Sequence, residues 1–303
     1  MKYVLVTGGT GFIGRYVVEE LRNRGYTPVI LDREQRTHNY SNVVQPVVFG
    51  DIKDSTLVTE AVAHVDGVIH LAGVLGTQET IENPLPAAET NILGGLNVLQ
   101  ACAQYDVPLV NIAVGNYWMP NTYSITKNTI ERFVEMYTKY RGTQMTVVRA
   151  LNAYGPRQVP VPPWGSSRVR KIMPSFICRA LSGEPIEIYG DGTQIMDMIY
   201  VEDVAEILVR ALELTDEKGP QPTIEAGTGR DTTVNDIAEE VVRNVPGATI
   251  EHLPMRPGED QHSVVKADPD KILDLGHPLT PLEDGVRVTV DYFRDEGILA
   301  HDR

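Results

Sequence analysis

The segment Gly8-Gly9-Thr10-Gly11-Phe12-Ile13-Gly14 restricts this chain more than any other, because it joins a β-branched run, Tyr3 to Thr7, to a helical pattern from about Phe12 to Arg24. A glycine pattern is weak alone; between a strand and a helix it becomes a dinucleotide-binding hypothesis. The backbone has to turn sharply at Gly8, approach a pyrophosphate with no Cβ in the way at Gly11, and let helix and strand pack tightly at Gly14. The diphosphate then meets the helix N-terminus, where Phe12 and Ile13 begin the first turn. A plain glycine turn is the competing account. A P-loop is excluded, since Gly14 is followed by Arg15-Tyr16 and not by Lys-Ser/Thr.

Asp32 ends the second expected strand, 18 residues after Gly14. A carboxylate there accepts both ribose hydroxyls of NAD and repels the 2′-phosphate of NADP, so NAD is the expected cofactor. Arg33 and Arg36 stand beside it, and a guanidinium that accommodated the phosphate would reverse the preference.

The alternation continues through Pro28 to Asp32, Val43 to Phe49, a helix at Ser55 to His64, Gly67 to Leu71, a long helix Leu85 to Tyr105, Val107 to Val114, a helix Tyr123 to Arg141, and Thr146 to Ala150. Repeated βα units predict an α/β fold with a doubly wound parallel sheet. Composition shifts at Gly155 to Gly165, where Pro156, Pro160, Pro162 and Pro163 mark a long connection. Beyond it the reading gives a helix at Met173 to Ser182, a hairpin-like Ile186 to Gly192, a strand Asp197 to Val201, and helices at Glu202 to Leu214, Val234 to Asn244 and Val286 to Arg294. These are too few for a second large sheet and predict a smaller lobe built from separate segments.

Charge narrows the partners. With 27 Lys+Arg against 41 Asp+Glu the net charge is −14, a field that repels nucleic acid and anionic lipid. No apolar run reaches membrane-spanning length and the glycines follow too soon for a signal peptide, so a cytoplasmic protein is expected. Cys102 and Cys178 lack metal-ligand spacing, and neither a disulfide framework nor a metal site is expected.

Tyr123 and Lys127 open a helix at i, i+4, which puts phenol and ammonium on one face. A free phenol, with a pKa near ~10, is no base at neutral pH. A cation about 5 Å away at an effective dielectric of ~20 would favour phenolate by roughly 3 kcal/mol. The expectation is that Lys127 makes Tyr123 a working base; a surface pair is the alternative.

With these residues in place the chain resembles the extended short-chain dehydrogenases/reductases of the NAD-dependent nucleotide-sugar epimerase/dehydratase group. The matching stretches are Thr7 to Gly14, Gly50-Asp51-Ile52, His70 to Gly73, Asn91 to Leu99, Tyr123/Lys127, Arg149 to Pro156, Tyr189 to Gly192, Tyr200 to Val204 and Arg256 to Glu259. The resemblance implies a Rossmann-like NAD-binding domain at 1–155, completed by about 197–214, and a nucleotide-sugar lobe at 156–196 and 215–303. It implies that Asp51 and Ile52 flank the adenine, that Leu71, Ala72 and Gly73 line the dinucleotide, that Lys127 also holds the nicotinamide ribose, and that Asn152 and Arg256 contact the substrate diphosphate. A homodimer is implied as well.

Two departures stand out. Family members place a Ser or Thr some two dozen residues before the Tyr to hydrogen-bond the reacting hydroxyl, yet Asn91 to Asn121 contains neither. Asn116, Thr122 or a backbone group is left for that place, with Asn116 preferred because it follows the strand end; a simple turn is the alternative for it. Met196 stands where the family has a diphosphate-gripping Arg, and Arg168 in the run Arg168-Val169-Arg170-Lys171 is either the replacement cation or a solvated charge. Asp106 is the only carboxylate from Asn91 to Asn121, which disfavours a dehydratase. The expectation is redox-neutral epimerisation of a nucleotide-diphosphate sugar, most readily at C4. A dehydratase, a keto-sugar reductase and a non-catalytic NAD-binding regulator are the other readings.

Overall fold

The computed structural model describes residues 1–33, 46–76, 79–161, 171–255 and 262–297. The first half runs β1 (Tyr3–Thr7), α1 (Phe12–Asn23), β2 (Thr27–Asp32), β3 (Val47–Phe49), α2 (Ser55–Val62), β4 (Gly67–His70), α3 (Leu85–Ala87), a π-helical stretch (Ala88–Gly94), α4 (Gly95–Tyr105), β5 (Leu109–Val114), α5 (Thr122–Arg141) and β6 (Met145–Ala150). There follow β7 (Asn152–Tyr154), α6 (Ile172–Leu181), β8 (Ile186–Tyr189), β9 (Ile195–Met196), β10 (Met198–Tyr200), α7 (Val201–Lys218), β11 (Ile224–Ala226), α8 (Val234–Asn244), β12 (Ile250–Leu253), β13 (Val264–Val265) and α9 (Leu282–Tyr292).

Two compact units emerge: residues 1–150 with 204–226, and residues 151–203 with 227–303. The first holds a seven-stranded sheet in the order β3-β2-β1-β4-β5-β6-β11, every pairing parallel. Strand order reverses between β1 and β4, the place where doubly wound sheets bind dinucleotides outside the carboxyl ends of their strands. The strands are mainly apolar because helices cover both faces; β4 and β5 are buried from end to end, His70 and Asn111 included. Residues 215–226 join this unit, where the sequence reading placed them in the second lobe. The cause is β11, whose Ile224 to Ala226 pair with Val148 to Ala150 of β6.

The second unit packs α6, α8 and α9 around Tyr154, Phe176, Ile177, Ile237, Val286 and Phe293. Its strands form two-stranded parallel pairs, β7 with β10, β8 with β12 and β9 with β13. The hairpin-like reading of Ile186 to Gly192 is therefore wrong. Gly190 and Gly192, at φ +80° and +76°, do turn the chain, but β8 finds its partner 64 residues on, Ile250 against Ile186. Asp197, fully buried, organises this unit: its carboxylate accepts from Thr228 N and Oγ1, Gly229 N and Ala267 N. Both cysteines are buried, and no disulfide joins them. Among the described residues no helix is long and apolar enough to cross a membrane, and none form a metal-binding cluster.

Candidate functional site

The glycine turn has the shape a diphosphate requires. Gly8 sits at φ +72°, and a Cβ there would lie 2.9 Å from Ala72 N. A Cβ at Gly14 would overlap the Gly8 carbonyl and lie 2.7 Å from Gly9 Cα. Gly11 is the N-cap of α1, and no side chain caps that helix. Its first N–H groups are thus open to an anionic ligand at the positive end of the helix dipole. Phe12 rests edge-on against Tyr16, ring centres 6.1 Å apart, and Ile13 completes the opening turn.

Asp32 stands at the carboxyl end of β2, its carboxylate accepting from Thr10 N at 3.0 Å and Thr10 Oγ1 at 2.6 Å. It is tied to the same turn and oriented by it. Arg33 pairs with Asp51 at 3.6 Å, so its guanidinium is directed to the next strand end. Arg36 lies outside the described residues, as do Val43 and Val44 of the third expected strand.

Asp51 and Ile52 follow β3. Ile52 is buried, and its carbonyl accepts from Asn97 Nδ2. Leu71, Ala72 and Gly73 follow β4, held by Leu71 N donating to Thr7 O and Ala72 N to Thr7 Oγ1. All the expected cofactor residues outside α5 therefore meet at the carboxyl edge of β1 to β4. These residues fit NAD: the turn excludes side chains, the helix end favours negative charge, and a carboxylate at the end of β2 can accept from ribose hydroxyls.

Asn121 caps α5 by accepting from Ser124 N at 2.9 Å, which places Tyr123 in the first helical turn and Lys127 one turn later. Position in the first turn favours phenolate through the helix dipole. Burial opposes it. Lys127, 5% exposed and paired with no carboxylate among the described residues, is pushed down to about 8 by desolvation. The Tyr123 phenol is pushed up to about 12 by the same cause. In the ligand-free protein, burial thus works against the phenolate that the Lys127 charge would favour.

Three residues whose roles the sequence reading missed bond α5 or feel the Lys127 charge. Asn91, in the π-helical stretch, accepts from Val74 N and donates to Val74 O and Thr126 Oγ1, tying the segment after β4 to α5. His70 is buried, hydrogen-bonded to Thr7 Oγ1 at 2.7 Å, and held neutral by burial and by the Lys127 charge, down to about 3. Arg149 bonds the buried Glu131 of α5, pairs with Glu225 at 3.1 Å, and lies 3.8 Å over the Tyr117 ring. The only signal for Asn91 and His70 was membership of matching stretches; nothing in the sequence pairs Arg149 with Tyr117.

Asn116, proposed for the missing hydroxyl, is half-buried between β5 and α5, and its amide donates to Met119 Sδ at 3.4 Å. Thr122 is the first residue of α5. In the second unit, Asn152 Nδ2 donates to Asp197 O, and Met196 packs part-buried against the apolar core. Arg168 and Arg256 lie outside the described residues.

Residues 4–227 match the model of the NAD dependent epimerase/dehydratase family. A putative UDP-glucose 4-epimerase of Methanocaldococcus jannaschii is 29% identical, covering 96% of this chain and 98% of that protein. A UDP-glucose 4-epimerase of Rhizobium leguminosarum bv. trifolii is 31% identical over 90% of each. A UDP-N-acetyl-alpha-D-glucosaminuronate decarboxylase of Bacillus cytotoxicus is 28% identical over 97% of this chain and 98% of its own length. Among solved structures, the Thermus thermophilus UDP-glucose 4-epimerase in complex with NAD superposes with a TM-score of 0.82 at 31% identity, covering 97% of this chain and 99% of that one. Matched by the family model over residues 4–227 and sharing its fold with an NAD-bound epimerase at 31% identity, this chain belongs to the NAD dependent epimerase/dehydratase family.

Proposed function

We propose that this protein epimerises a UDP-linked hexose or hexuronic acid at C4, redox-neutrally, with NAD recycled in place. NAD, held by the turn from Gly8 to Gly14 and by Asp32, would supply reversible hydride transfer at the sugar carbon and a positive charge on its oxidised ring. Tyr123 Oη takes the proton of the reacting hydroxyl and gives it back on re-reduction. Lys127 stabilises the phenolate and donates to the nicotinamide ribose. Asp32 accepts from the adenosine ribose, the turn from Gly8 to Gly14 receives the diphosphate, and Asp51, Ile52 and Leu71 to Gly73 flank the rest. Asn116 is proposed to bond the reacting hydroxyl, and Asn152, Met196, Arg168 and Arg256 to line the sugar-nucleotide diphosphate. The units 1–150 with 204–226 and 151–203 with 227–303 serve as cofactor and substrate domains.

One observation carries epimerisation over water loss. Elimination needs an acid beside Tyr123, and the segment between β5 and α5 has no carboxylate. Asp106 caps α4 in the left-handed conformation, exposed, before β5 begins; Tyr123 follows the far end of that strand. At about 3.3 Å per residue the strand separates the two by some ~17 Å. Names of relatives support a UDP-linked substrate. We place the enzyme in the cytoplasm as a homodimer; exposed Leu93 and Ile125, on the mutually packed π-helical stretch and α5, offer an apolar surface for it.

UDP-glucose carrying deuterium at C4, incubated with the NAD-loaded enzyme and followed by NMR, should give UDP-galactose with the label retained and no net NADH. Stoichiometric NADH or a stable 4-keto-6-deoxy product would overturn the reading.

A further inference from the structure

The short segment 115–121 has lost the family's hydroxyl, yet it is not a slack turn. Met119 N donates to Asn116 O at 3.1 Å, Asn121 N to Met119 O at 2.9 Å, and the Asn121 side chain caps α5. Between these bonds stands Trp118, 53% exposed. A lone exposed apolar side chain needs no explanation in general. This one has a built support. The Tyr117 ring meets it edge-on, centroids 5.3 Å apart at 87°, and Tyr117 is itself stacked on Arg149 at 3.8 Å. Arg149 is in turn held by Glu131, 1% exposed, and by Glu225. A buried ion-pair network thus fixes an exposed indole.

Its position gives the indole a use. The segment joins the carboxyl end of β5 to the N-terminus of α5, five residues before Tyr123, on the ligand-binding edge of the sheet. We propose that Trp118 is a substrate-stacking residue whose indole packs on the apolar C–H face of the hexose, adding contact area in a loop where Asn116 stands in for the lost hydroxyl. The proposal rests on the function above, which places Tyr123 at the reacting carbon. The nucleobase is a diphosphate and a ribose away, so the sugar is the part within reach. A rigid aromatic with two side-chain torsions gives large contact area at low entropic cost. It also suits a sugar that must present either face, since stacking is less directional than a hydrogen bond.

The chain has two tryptophans, Trp118 and Trp164, so a W164F enzyme reports on Trp118 alone. In that background, loaded with NAD, UDP-glucose should shift and quench the indole emission while UDP should not. Trp118→Ala should raise KM for UDP-glucose about tenfold, with the loss falling on KM in preference to kcat, and Trp118→Phe should recover most of it. An indole equally affected by UDP alone, or an emission and KM indifferent to Trp118, overturns the platform while turnover by the parent enzyme leaves the epimerase reading standing. Failure of the parent enzyme to bind or turn over UDP-glucose overturns both.

Discussion

Lys127 makes the ligand-free protein less stable, and removing its charge should show by how much. Its ammonium is 5% exposed with no carboxylate partner among the described residues, and burial lowers it from 10.5 to about 8. At 1.36 kcal/mol per pH unit that displacement is worth about 3 kcal/mol against the folded state. The sign follows from proton counting. Between about pH 8 and 10.5 the unfolded chain binds a proton at this site that the folded chain does not, so stability rises with pH across that window. Below about 8 the whole cost is present; above about 10.5 it is gone. Lys127→Met keeps the apolar stem and deletes the charge. In urea melts of NAD-free protein, the variant should therefore be more stable than the parent by up to about 3 kcal/mol at pH 7, with the gap closing toward pH 10.5. Comparing the two at each pH cancels every other titration. A less stable Lys127→Met at pH 7, or a gap independent of pH, would refute the reasoning. The same variant should be inactive and bind NAD more weakly, which would show that the cost is retained for the reaction.

Tyr123→Phe removes the proton acceptor and almost no volume, and should lower kcat at least ~10²-fold with NAD affinity and melting temperature unchanged. Asp32→Asn should relax the preference for NAD over NADP as measured by cofactor titration; equal binding of both by the unaltered enzyme would transfer the role to a neighbouring arginine. Asp197→Ala leaves buried backbone donors at Thr228, Gly229 and Ala267 unsatisfied and should cost several kcal/mol in the second unit, read as lost hydrogen-exchange protection there. Met196→Arg should lower KM if Met196 lines the diphosphate; because the methionine packs on the second unit's core, a drop in melting temperature with KM unchanged would count against that placement.

The first unit was legible because its signals are local. Tyr3 to Thr7 reads as a strand from its β-branched and apolar run, Gly8 to Gly14 marks the tight strand-to-helix turn, and α5 begins where Asn121 can cap it. The second unit was less so, since its strands pair over long separations. Nothing in Ile186 to Tyr189 points to Ile250 to Leu253, and the glycines after β8 mimic a hairpin turn. Residues 215–226 were misplaced for the same reason: β11 is three residues long and takes its identity from β6.

The candidate site divides along a different line. Spacing shows which groups share a helix face, so Tyr123 and Lys127 could be found from i, i+4 alone; it does not show what covers them. Coverage comes from α5 lying on β5 and against the π-helical stretch, with neutral His70 on β4 beneath. In that setting Lys127 has no carboxylate partner among the described residues, and the phenol of Tyr123 is pushed up to about 12. In water at neutral pH the pair would be phenol and ammonium; the protein interior pushes the phenol further up and the ammonium down. The pair alone is thus no base at neutral pH; on the function proposed above, bound NAD would add the positive charge that favours the phenolate. The pH profile should reflect this: kcat of the loaded enzyme should have a basic limb set by a pKa well below 12, while the phenol of the NAD-free protein, followed by ultraviolet difference spectroscopy, should resist ionisation to the end of the accessible range. An identical titration in the two forms would show that NAD contributes nothing to activating Tyr123.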